Sequence, residues 1–220
     1  MEIAIMKAVL EENNDRALEI KELLKKKKIL LLNLISSPGS GKTTLLERTI
    51  EYFKDTYSIA VIEGDITTAR DAERLEKYKI PLVVINTDGA CHLNSMSIKK
   101  ALKNFDLNNL DLIFVENVGN LVCPSEFDIG ENAKIAMLST AEGDDKPAKY
   151  PLLFRESELM LLNKTDLIPY TNFSKESFYN DLGKINKDLP VIETSCTKNE
   201  GLSVWFEWIE QKINSGGTIK

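Results

Sequence analysis

The sequence predicts an α/β protein in which a mostly parallel sheet of about seven strands is flanked by helices. Two observations support this prediction. Segments of strand length alternate with helical patterns, and most of these segments are apolar throughout instead of alternating between apolar and polar residues. Continuous apolar strands indicate burial on both faces, which is typical of parallel sheets covered by helices. The 43% hydrophobic fraction of the 220 residues is sufficient for a sizeable core. We therefore expect a three-layer architecture built around one large domain.

The predicted elements follow one another in a regular order. Ile3, Met6 and Val9 recur at helical spacing, so the first 28 residues are predicted to form a leading helix. Strands are predicted at residues 29–35, 59–63, 81–86, 110–116, 135–139, 159–163 and 190–194. Helices are predicted at residues 43–54, 67–79, 94–104, 175–187 and 202–213. The polar residues 141–150 are expected to form a mobile loop, and residues 214–220 a flexible tail.

Composition and charge exclude several classes of protein. The 34 acidic residues outnumber the 28 basic ones, and a net charge of -6 does not favour a nucleic-acid partner. Residues 1–7 lack the basic start of a signal peptide, and the longest apolar run, at 29–35, is too short to span a bilayer. Three cysteines do not indicate a disulfide framework. We expect a cytoplasmic protein without a nucleic-acid or membrane partner.

A phosphate-binding motif follows the first predicted strand. Residues 36–44 read Ser-Ser-Pro-Gly-Ser-Gly-Lys-Thr-Thr, and they match the P-loop pattern except that Ser36 occupies its first glycine position. Glycines let backbone amides surround phosphate oxygens, and the following helix adds its positive N-terminal end. Lys42 would neutralise the β- and γ-phosphates, and the Thr43 hydroxyl would bind Mg²⁺. The motif predicts a P-loop NTPase fold and these nucleotide-binding residues: Gly39, Ser40, Gly41, Lys42, Thr43 and Thr44.

A second motif predicts guanine as the base. The strand at 159–163 is followed by Lys164-Thr165-Asp166, and Asp166 can accept hydrogen bonds from the guanine edge that adenine lacks. Asn163 would hold the loop and reach the base, and the Lys164 stem would lie on the base. Ser195 and Cys196, after the last strand, are predicted to form a second base loop. Residues 29–213 are therefore expected to be a G domain that follows the N-terminal helical extension 1–28.

Acidic residues at two strand ends complete the predicted catalytic centre. Glu116 ends the fourth strand and is followed by Gly119, which suits a carboxylate near Mg²⁺ and a backbone amide at the γ-phosphate. Asp65 ends the second strand and is expected to bind Mg²⁺ through water or to orient the attacking water. A helix N-cap is the alternative role for Asp65. No glutamine lies near Gly119, so we expect slow hydrolysis unless a partner completes the site.

Cysteine and histidine form a candidate metal site. Cys91 and the only histidine, His92, are adjacent, and Cys123 follows Gly119 by four residues. Thiolate and imidazole are good ligands for Zn²⁺ and Ni²⁺, although such residues are also common in hydrogen-bonded or packed positions. A fourth ligand would be water, a neighbouring acid or a group from a second subunit. If loss of the γ-phosphate releases the segment after Gly119, nucleotide state and metal affinity are coupled.

Together these motifs resemble the HypB family. The resemblance covers about residues 29–213, and the block Glu-Asn-Val-Gly-Asn-Leu-Val-Cys-Pro at 116–124 is its most specific part. It implies a SIMIBI-class GTPase that forms a GTP-dependent homodimer and delivers nickel to the large-subunit precursor of [NiFe]-hydrogenase, with a HypA-type nickel chaperone as partner. It also implies that Cys91, His92 and Cys123 bind Ni²⁺ or Zn²⁺ at the dimer interface.

Some features depart from the family pattern or extend it. The chain lacks the His-rich or Cys-rich N-terminal stretch of many members, so nickel storage is not expected. Asn94 stands where the family more often has aspartate, so an extra oxygen contact there is not assigned. Lys146 and Lys149 are either solvated loop residues or groups that reach across a dimer.

Other functions remain open from the motifs alone. A urease-accessory GTPase of the same class has Cys-Pro-His in place of the adjacent Cys91 and His92. A small-molecule P-loop kinase would share the phosphate loop but would not need Asp166. A metal-storage or regulatory module with a vestigial nucleotide site is a third reading, and the intact Lys42 and Glu116 argue against it.

Overall fold

One sheet of seven strands runs through the computed structural model, which describes residues 2–65 and 70–216, with side chains described for residues 10–64 and 73–216. The strands are β1 Leu30–Ser36, β2 Ile59–Asp65, β3 Leu82–Asn86, β4 Leu112–Glu116, β5 Ala133–Ser139, β6 Leu159–Asn163 and β7 Val191–Glu193. Their order is β3-β2-β4-β1-β5-β6-β7, and every pairing between these strands is parallel. All seven predicted strands are present with ends within two residues, and the sheet is wholly rather than mostly parallel.

Helices cover both faces of this sheet. The helices are α1 Glu2–Lys27, α2 Lys42–Phe53, α3 Arg70–Glu76, α4 Ser95–Leu102, α5 Cys123–Glu126, α6 Lys146–Lys149, α7 Pro151–Glu156, α8 Lys175–Ile185 and α9 Leu202–Asn214. The leading helix and the five predicted interior helices are present. The start of the predicted helix at 67–79 lies outside the described residues, as does most of the predicted tail, residues 217–220. Among the helices that the structure describes, none combines the length and apolar character needed to cross a bilayer.

The segment 141–150 differs from its predicted loop. It contains part of a 3-10 turn, Thr140–Glu142, followed by α6. The turn begins with a capping box, in which the Ser139 hydroxyl accepts from the amide of Ala141 and Glu142 accepts from the amide of Ser139. Pro147 lies in the first turn of α6 and is buried. A polar composition concealed this local structure, because helix caps use the same residue types as loops.

The core lies on both faces of the central strands. One face of the sheet packs against α2 and α9, where Phe53 and Trp205 are fully buried with Phe114 of β4. The other face packs against α1 and α4 on one side and against α7 and α8 on the other, where Phe154 and Phe178 are buried. This arrangement confirms the three-layer α/β fold class.

Helix α1 is packed on the sheet through one stripe of its surface. Ala17, Ile20 and Leu24 are buried, and they recur at the spacing of successive helical turns. Gly130 lies directly against this stripe, since a Cβ atom added there would be 2.5 Å from Cγ2 of Ile20. On the opposite side Leu18 is 57% exposed. The helix therefore contributes apolar contacts to the same core as α4 and the strands.

Replacement of Ile20 by alanine tests this packing. We expect Ile20→Ala to lower the free energy of unfolding by about 2–4 kcal/mol, because it removes a fully buried side chain from a packed site. Leu18→Ala is the matched control on the same helix and should change it by less than about 0.5 kcal/mol. Urea unfolding followed by circular dichroism measures both values. Equal effects of the two substitutions would contradict the packing of α1.

Candidate functional site

The loop between β1 and α2 lies at the carboxyl edge of the sheet, where open α/β sheets bind ligands. Gly39 and Gly41 have φ angles of 76° and 106°, a left-handed conformation that other residues rarely adopt. A Cβ atom added to Gly41 would also lie 2.5 Å from Nδ2 of Asn163. The backbone conformation therefore favours glycine at both positions, and at Gly41 the nearby Asn163 side chain also leaves no room for a Cβ atom. The resulting turn gives the loop the form of an anion-binding concavity.

Lys42 and Ser36 are joined inside this loop. Lys42 begins α2 and is 8% exposed, and its Nζ donates to Oγ of Ser36 over 2.8 Å. Ser40 donates to the same hydroxyl over 2.6 Å. Ser40 is itself a residue of the loop and is fully buried. Ser36 replaces the first glycine of the motif, and its hydroxyl accepts hydrogen bonds from two other residues of the motif.

A cavity of about 570 Å³ opens above the loop, bounded by the ends of β2 and β4. Thr43 and Glu116 line it, and the Thr43 hydroxyl donates to Oε1 of Glu116 over 2.9 Å. Gly119 also lines the cavity and lies against the phosphate loop, since an added Cβ atom would be 2.8 Å from Cγ of Pro38. A hydroxyl and a carboxylate are oxygen ligands of the kind that Mg²⁺ prefers. The side chain of Asp65, the predicted partner in this role, lies outside the described residues.

A second cavity, of about 280 Å³, adjoins the first one. Gly41, Thr44 and Lys164 line both cavities, so the two form a continuous surface. Asp166 lines the second cavity, and its Oδ1 is buried without a hydrogen-bond partner among the described residues. A buried carboxylate oxygen without a donor is suited to accept from a ligand. Lys164 crosses towards the first cavity, where its Nζ donates to the Gly39 carbonyl over 2.6 Å.

Asn163 ties the phosphate loop to the last strand. It is 1% exposed, its Nδ2 donates to the carbonyl of Ser40 over 2.9 Å, and its Oδ1 accepts from the amide of Cys196 and the hydroxyl of Thr194. Both ends of the amide are thus used to hold protein loops together. Cys196 lines the second cavity, and burial raises the pKa of its thiol to about 11. Ser195, by contrast, is fully buried and does not line the cavity.

Cys91, His92 and Cys123 form a cluster near the same edge of the sheet. Their ligand atoms lie within 4.8 Å of one another, with 3.0 Å between the two Sγ atoms and 3.7 Å between Cys91 Sγ and His92 Nδ1. The hydrogen bond to Cys123, together with burial, raises the pKa of the Cys91 thiol. Burial lowers the pKa of His92 against the opposing effect of Glu126. Two thiols and a neutral imidazole make a donor set that suits Zn²⁺ or Ni²⁺.

Side chains beyond the ligands hold this cluster. The His92 ring stacks on Phe127, with 4.0 Å between ring centroids. The Asn120 amide donates to the Cys91 carbonyl over 3.2 Å. Asn117, directly after Glu116, accepts from the amide of Leu93 over 3.1 Å. The loop that carries Cys91 and His92 is therefore attached to the chain segment that connects the nucleotide cavity with Cys123.

Three further residues of this region were not among the predicted site residues. Glu63 is buried and lines the 570 Å³ cavity, and it lies opposite Glu116 in the register of β2 with β4. An acidic residue at a buried strand end was the available signal. Arg74 lines the same cavity and donates to Thr44 over 3.0 Å, and no motif indicates it. Asn117 lies within the block at 116–124, but its contact with Leu93 depends on a residue 24 positions away.

Lys146 and Lys149 lie on α6. Lys149 forms an ion pair with Asp145, four residues earlier in the chain. Lys146 Nζ lies 5.8 Å from the centroid of the Tyr150 ring. Both contacts are local to the α6 segment.

Comparison with known proteins assigns the family. The profile described as "CobW/HypB/UreG, nucleotide-binding domain" matches residues 30–193. The chain is 46% identical to the hydrogenase maturation factor HypB of Escherichia coli K12 over 202 residues, which cover 92% of this chain and 70% of that protein. It is 42% identical to the hydrogenase/urease maturation factor HypB of Helicobacter hepaticus, covering 96% of this chain and 88% of that protein.

A solved structure gives the same result. The crystal structure of HypB from Helicobacter pylori in complex with nickel aligns with a TM-score of 0.88 at 37% identity, and the alignment covers 95% of this chain and 98% of that one. The identity, the coverage and the shared fold confirm the resemblance that the motifs indicated. This chain belongs to the HypB family.

Proposed function

We propose that this protein binds and hydrolyses GTP and uses that cycle to control nickel during [NiFe]-hydrogenase maturation. The observation that carries the proposal is the placement of two sites on one segment. Glu116 faces the nucleotide cavity at one end of residues 116–123, and Cys123 belongs to the thiol–imidazole cluster at the other end. A change around the nucleotide can therefore reach a metal ligand through a few residues of one loop.

The nucleotide would be held by the two adjoining cavities. The phosphate loop, from Gly39 to Thr44, and the N-terminal end of α2 suit the triphosphate, and Lys42 supplies positive charge. Thr43 and Glu116 fit Mg²⁺, which would neutralise charge on the phosphates when bound. Asp65 is proposed to orient the attacking water. The backbone amide of Gly119 is proposed to contact the γ-phosphate during hydrolysis.

Asp166 is proposed to select guanine. Its buried Oδ1 has no donor among the described residues, and the N1–H and N2 amino groups of guanine would supply donors there. Adenine would leave the carboxylate without these donors, which disfavours ATP and hence the small-molecule kinase reading. Lys164 and Cys196 would complete the base site around it, and the buried Ser195 would support the loop that carries Cys196 through its contacts with Thr197 and Lys198.

Replacement of Asp166 by asparagine tests the base. We expect Asp166→Asn to weaken GTP binding on the order of 100-fold, because the amide replaces one of two accepting oxygens with a donor. Xanthosine triphosphate should gain affinity, because its 2-oxo group accepts from that amide. Competition against a fluorescent guanine nucleotide measures both. Asp181→Asn is the control, since Asp181 lies on α8 and pairs with Lys184 instead of lining either cavity. ATP binding as tight as GTP binding in the wild type would contradict the proposal.

Cys91, His92 and Cys123 are proposed to bind Ni²⁺ or Zn²⁺. The HypB relative from H. pylori was crystallised with nickel, and the donor set of this chain fits that metal. Nickel would be cargo for the hydrogenase large-subunit precursor, received from a HypA-type chaperone. Three ligands leave a fourth to be supplied by water or by a second subunit.

Cysteine substitution tests the metal site. We expect Cys123→Ser to weaken Ni²⁺ and Zn²⁺ binding by at least about 100-fold, because a hydroxyl replaces a thiolate ligand. Cys196→Ser is the matched control, since Cys196 is the only other cysteine and lies beside the proposed base site. Competition with a chromophoric chelator measures the affinity. Loss of metal binding in both variants, or in neither, would contradict the assignment.

A GTP-dependent homodimer is proposed to complete the cycle. In this arrangement the metal cluster lies at the dimer interface, and Lys146 or Lys149 of one subunit would approach the nucleotide of the other. Hydrolysis would be slow in the isolated protein, because no glutamine lies beside Gly119.

Light scattering after gel filtration tests the dimer. We expect a monomer with GDP and a dimer with a non-hydrolysable GTP analogue, strengthened by Ni²⁺ in the wild type but not in Cys123→Ala. Lys146→Ala and Lys149→Ala should weaken the dimer if either residue reaches across.

The coupling between nucleotide and metal is tested in the same samples. Ni²⁺ affinity should differ between the two nucleotide states. Equal affinity with GTP analogue, with GDP and without nucleotide would refute the coupling.

Urease maturation is a second candidate for the nickel acceptor. The H. hepaticus relative is named a hydrogenase/urease maturation factor, so one family member carries both roles in its name. The adjacent Cys91 and His92 favour the hydrogenase reading over the Cys-Pro-His pattern of urease-accessory GTPases. Nickel transfer from this protein to a hydrogenase precursor or to a urease accessory complex would separate the two.

A further inference from the structure

The metal cluster is assembled from two chain segments that need to be held at a fixed separation. Cys91 and His92 lie in the loop between β3 and α4, whereas Cys123 begins α5. The two segments meet only through tertiary contacts, because Cys123 lies 31 positions after His92 in the chain. A side chain that binds both segments at once would therefore set the geometry of the ligands.

Asn13 of α1 makes such a double contact. Its Oδ1 accepts from the amide of Ser95 over 2.9 Å, and its Nδ2 donates to the carbonyl of Asp128 over 2.7 Å. Asn13 is 4% exposed, so water does not replace these bonds readily. Ser95 lies three residues after His92, and Asp128 lies five residues after Cys123. One amide thus bridges the two segments that supply the ligands.

The contact to Ser95 completes the start of α4. The first amides of a helix lack partners within the helix, and an unpartnered buried amide is unfavourable. Asn94 caps the amide of Ser97, and Asn13 satisfies that of the buried Ser95. Helix α4 therefore begins at a position fixed in part by α1, and the ligand loop ends where that helix begins.

The contact to Asp128 fixes the other segment. Phe127, whose ring stacks on His92, directly precedes Asp128. Lys21, two turns along α1, forms an ion pair with the Asp128 carboxylate, and Ile20 packs against Gly130. The 127–130 loop is therefore attached to α1 by a hydrogen bond, an ion pair and an apolar contact.

We propose that Asn13 is a positioning residue for the metal site, which holds the Cys91–His92 loop and the Cys123 segment at the separation that metal binding requires. The inference rests on the proposed metal function. It assigns to the leading helix a role at the metal site, although α1 supplies none of the three ligands. Removal of the amide would leave the ligands in place but allow their separation to vary, and outer contacts of this kind control metal affinity.

Metal affinity of the full-length protein tests the inference. Asn13→Ala should weaken Ni²⁺ binding roughly tenfold, measured by competition with a chromophoric chelator, and should alter the thiolate-to-nickel charge-transfer absorption. GTP affinity should remain unchanged, because the nucleotide cavities contain no contact to Asn13 among the described residues. Asn14→Ala is the matched control, since Asn14 is the same residue type on an exposed position of the same helix, and it should bind Ni²⁺ like the wild type.

Further variants separate positioning from general loosening of α1. Leu24→Ala removes another buried side chain of α1 and leaves the Asn13 amide and the Ile20 contact with Gly130, so it should retain wild-type Ni²⁺ affinity under conditions where it is fully folded. If Asn13→Ala does not fold, Asn13→Ser replaces it with the same expected weakening. Equal Ni²⁺ affinity of the Asn13 variant and wild type, or equal weakening by Leu24→Ala, would overturn the inference. Wild-type Ni²⁺ affinity in Cys123→Ala would instead refute the proposed metal site, and the inference with it.

Discussion

The parallel pairing of β1 with β4 and β5 is the constraint on which both candidate sites depend. Because these strands run in the same direction, their carboxyl ends meet at one edge, and Leu34 of β1 lies directly opposite Glu116 of β4. This register places the phosphate loop beside Glu116 and so permits the contact with Thr43. Burial of the strands on both faces helps to fix the register, since a shift of one residue would exchange the side chains that pack on the two faces of the sheet.

The end of β4 divides its contacts between the two sites. Glu116 contacts the phosphate-loop threonine, and the next residue, Asn117, accepts from the loop that carries Cys91 and His92. The Asn117 amide also donates to Asn33 within β1, so its position is set by a buried polar pair in the centre of the sheet. Buried polar contacts of this kind specify one arrangement, because any other would leave amides without partners.

The sequence predicted the strands closely because buried parallel strands are continuous apolar runs that stand out from their surroundings. It also predicted the phosphate loop, Asp166 and the adjacent Cys91 and His92, since each is a local pattern whose chemistry is readable from neighbouring residues. Cys123 lies 31 positions after His92, and it was included because the chain has few cysteines and because the motifs resemble HypB. Asn13 and Arg74 were not predictable in this way. Their contacts join residues far apart in the chain, at separations of 82 and 30 positions, and an asparagine or arginine on a helix carries no local signal of its partner.

The segment between the two sites is held at both of its ends. Asn117 is fixed to β1 through Asn33, and Asp128 is fixed to α1 through Asn13 and Lys21. Any displacement that accompanies a change of nucleotide would therefore be confined to residues 118–127, which include Gly119 and Cys123. Because both ends of this segment are fixed, its residues would move together, and the proposed coupling between nucleotide and metal would act equally in both directions. On this view the leading helix and the central sheet together determine which part of the protein is able to move.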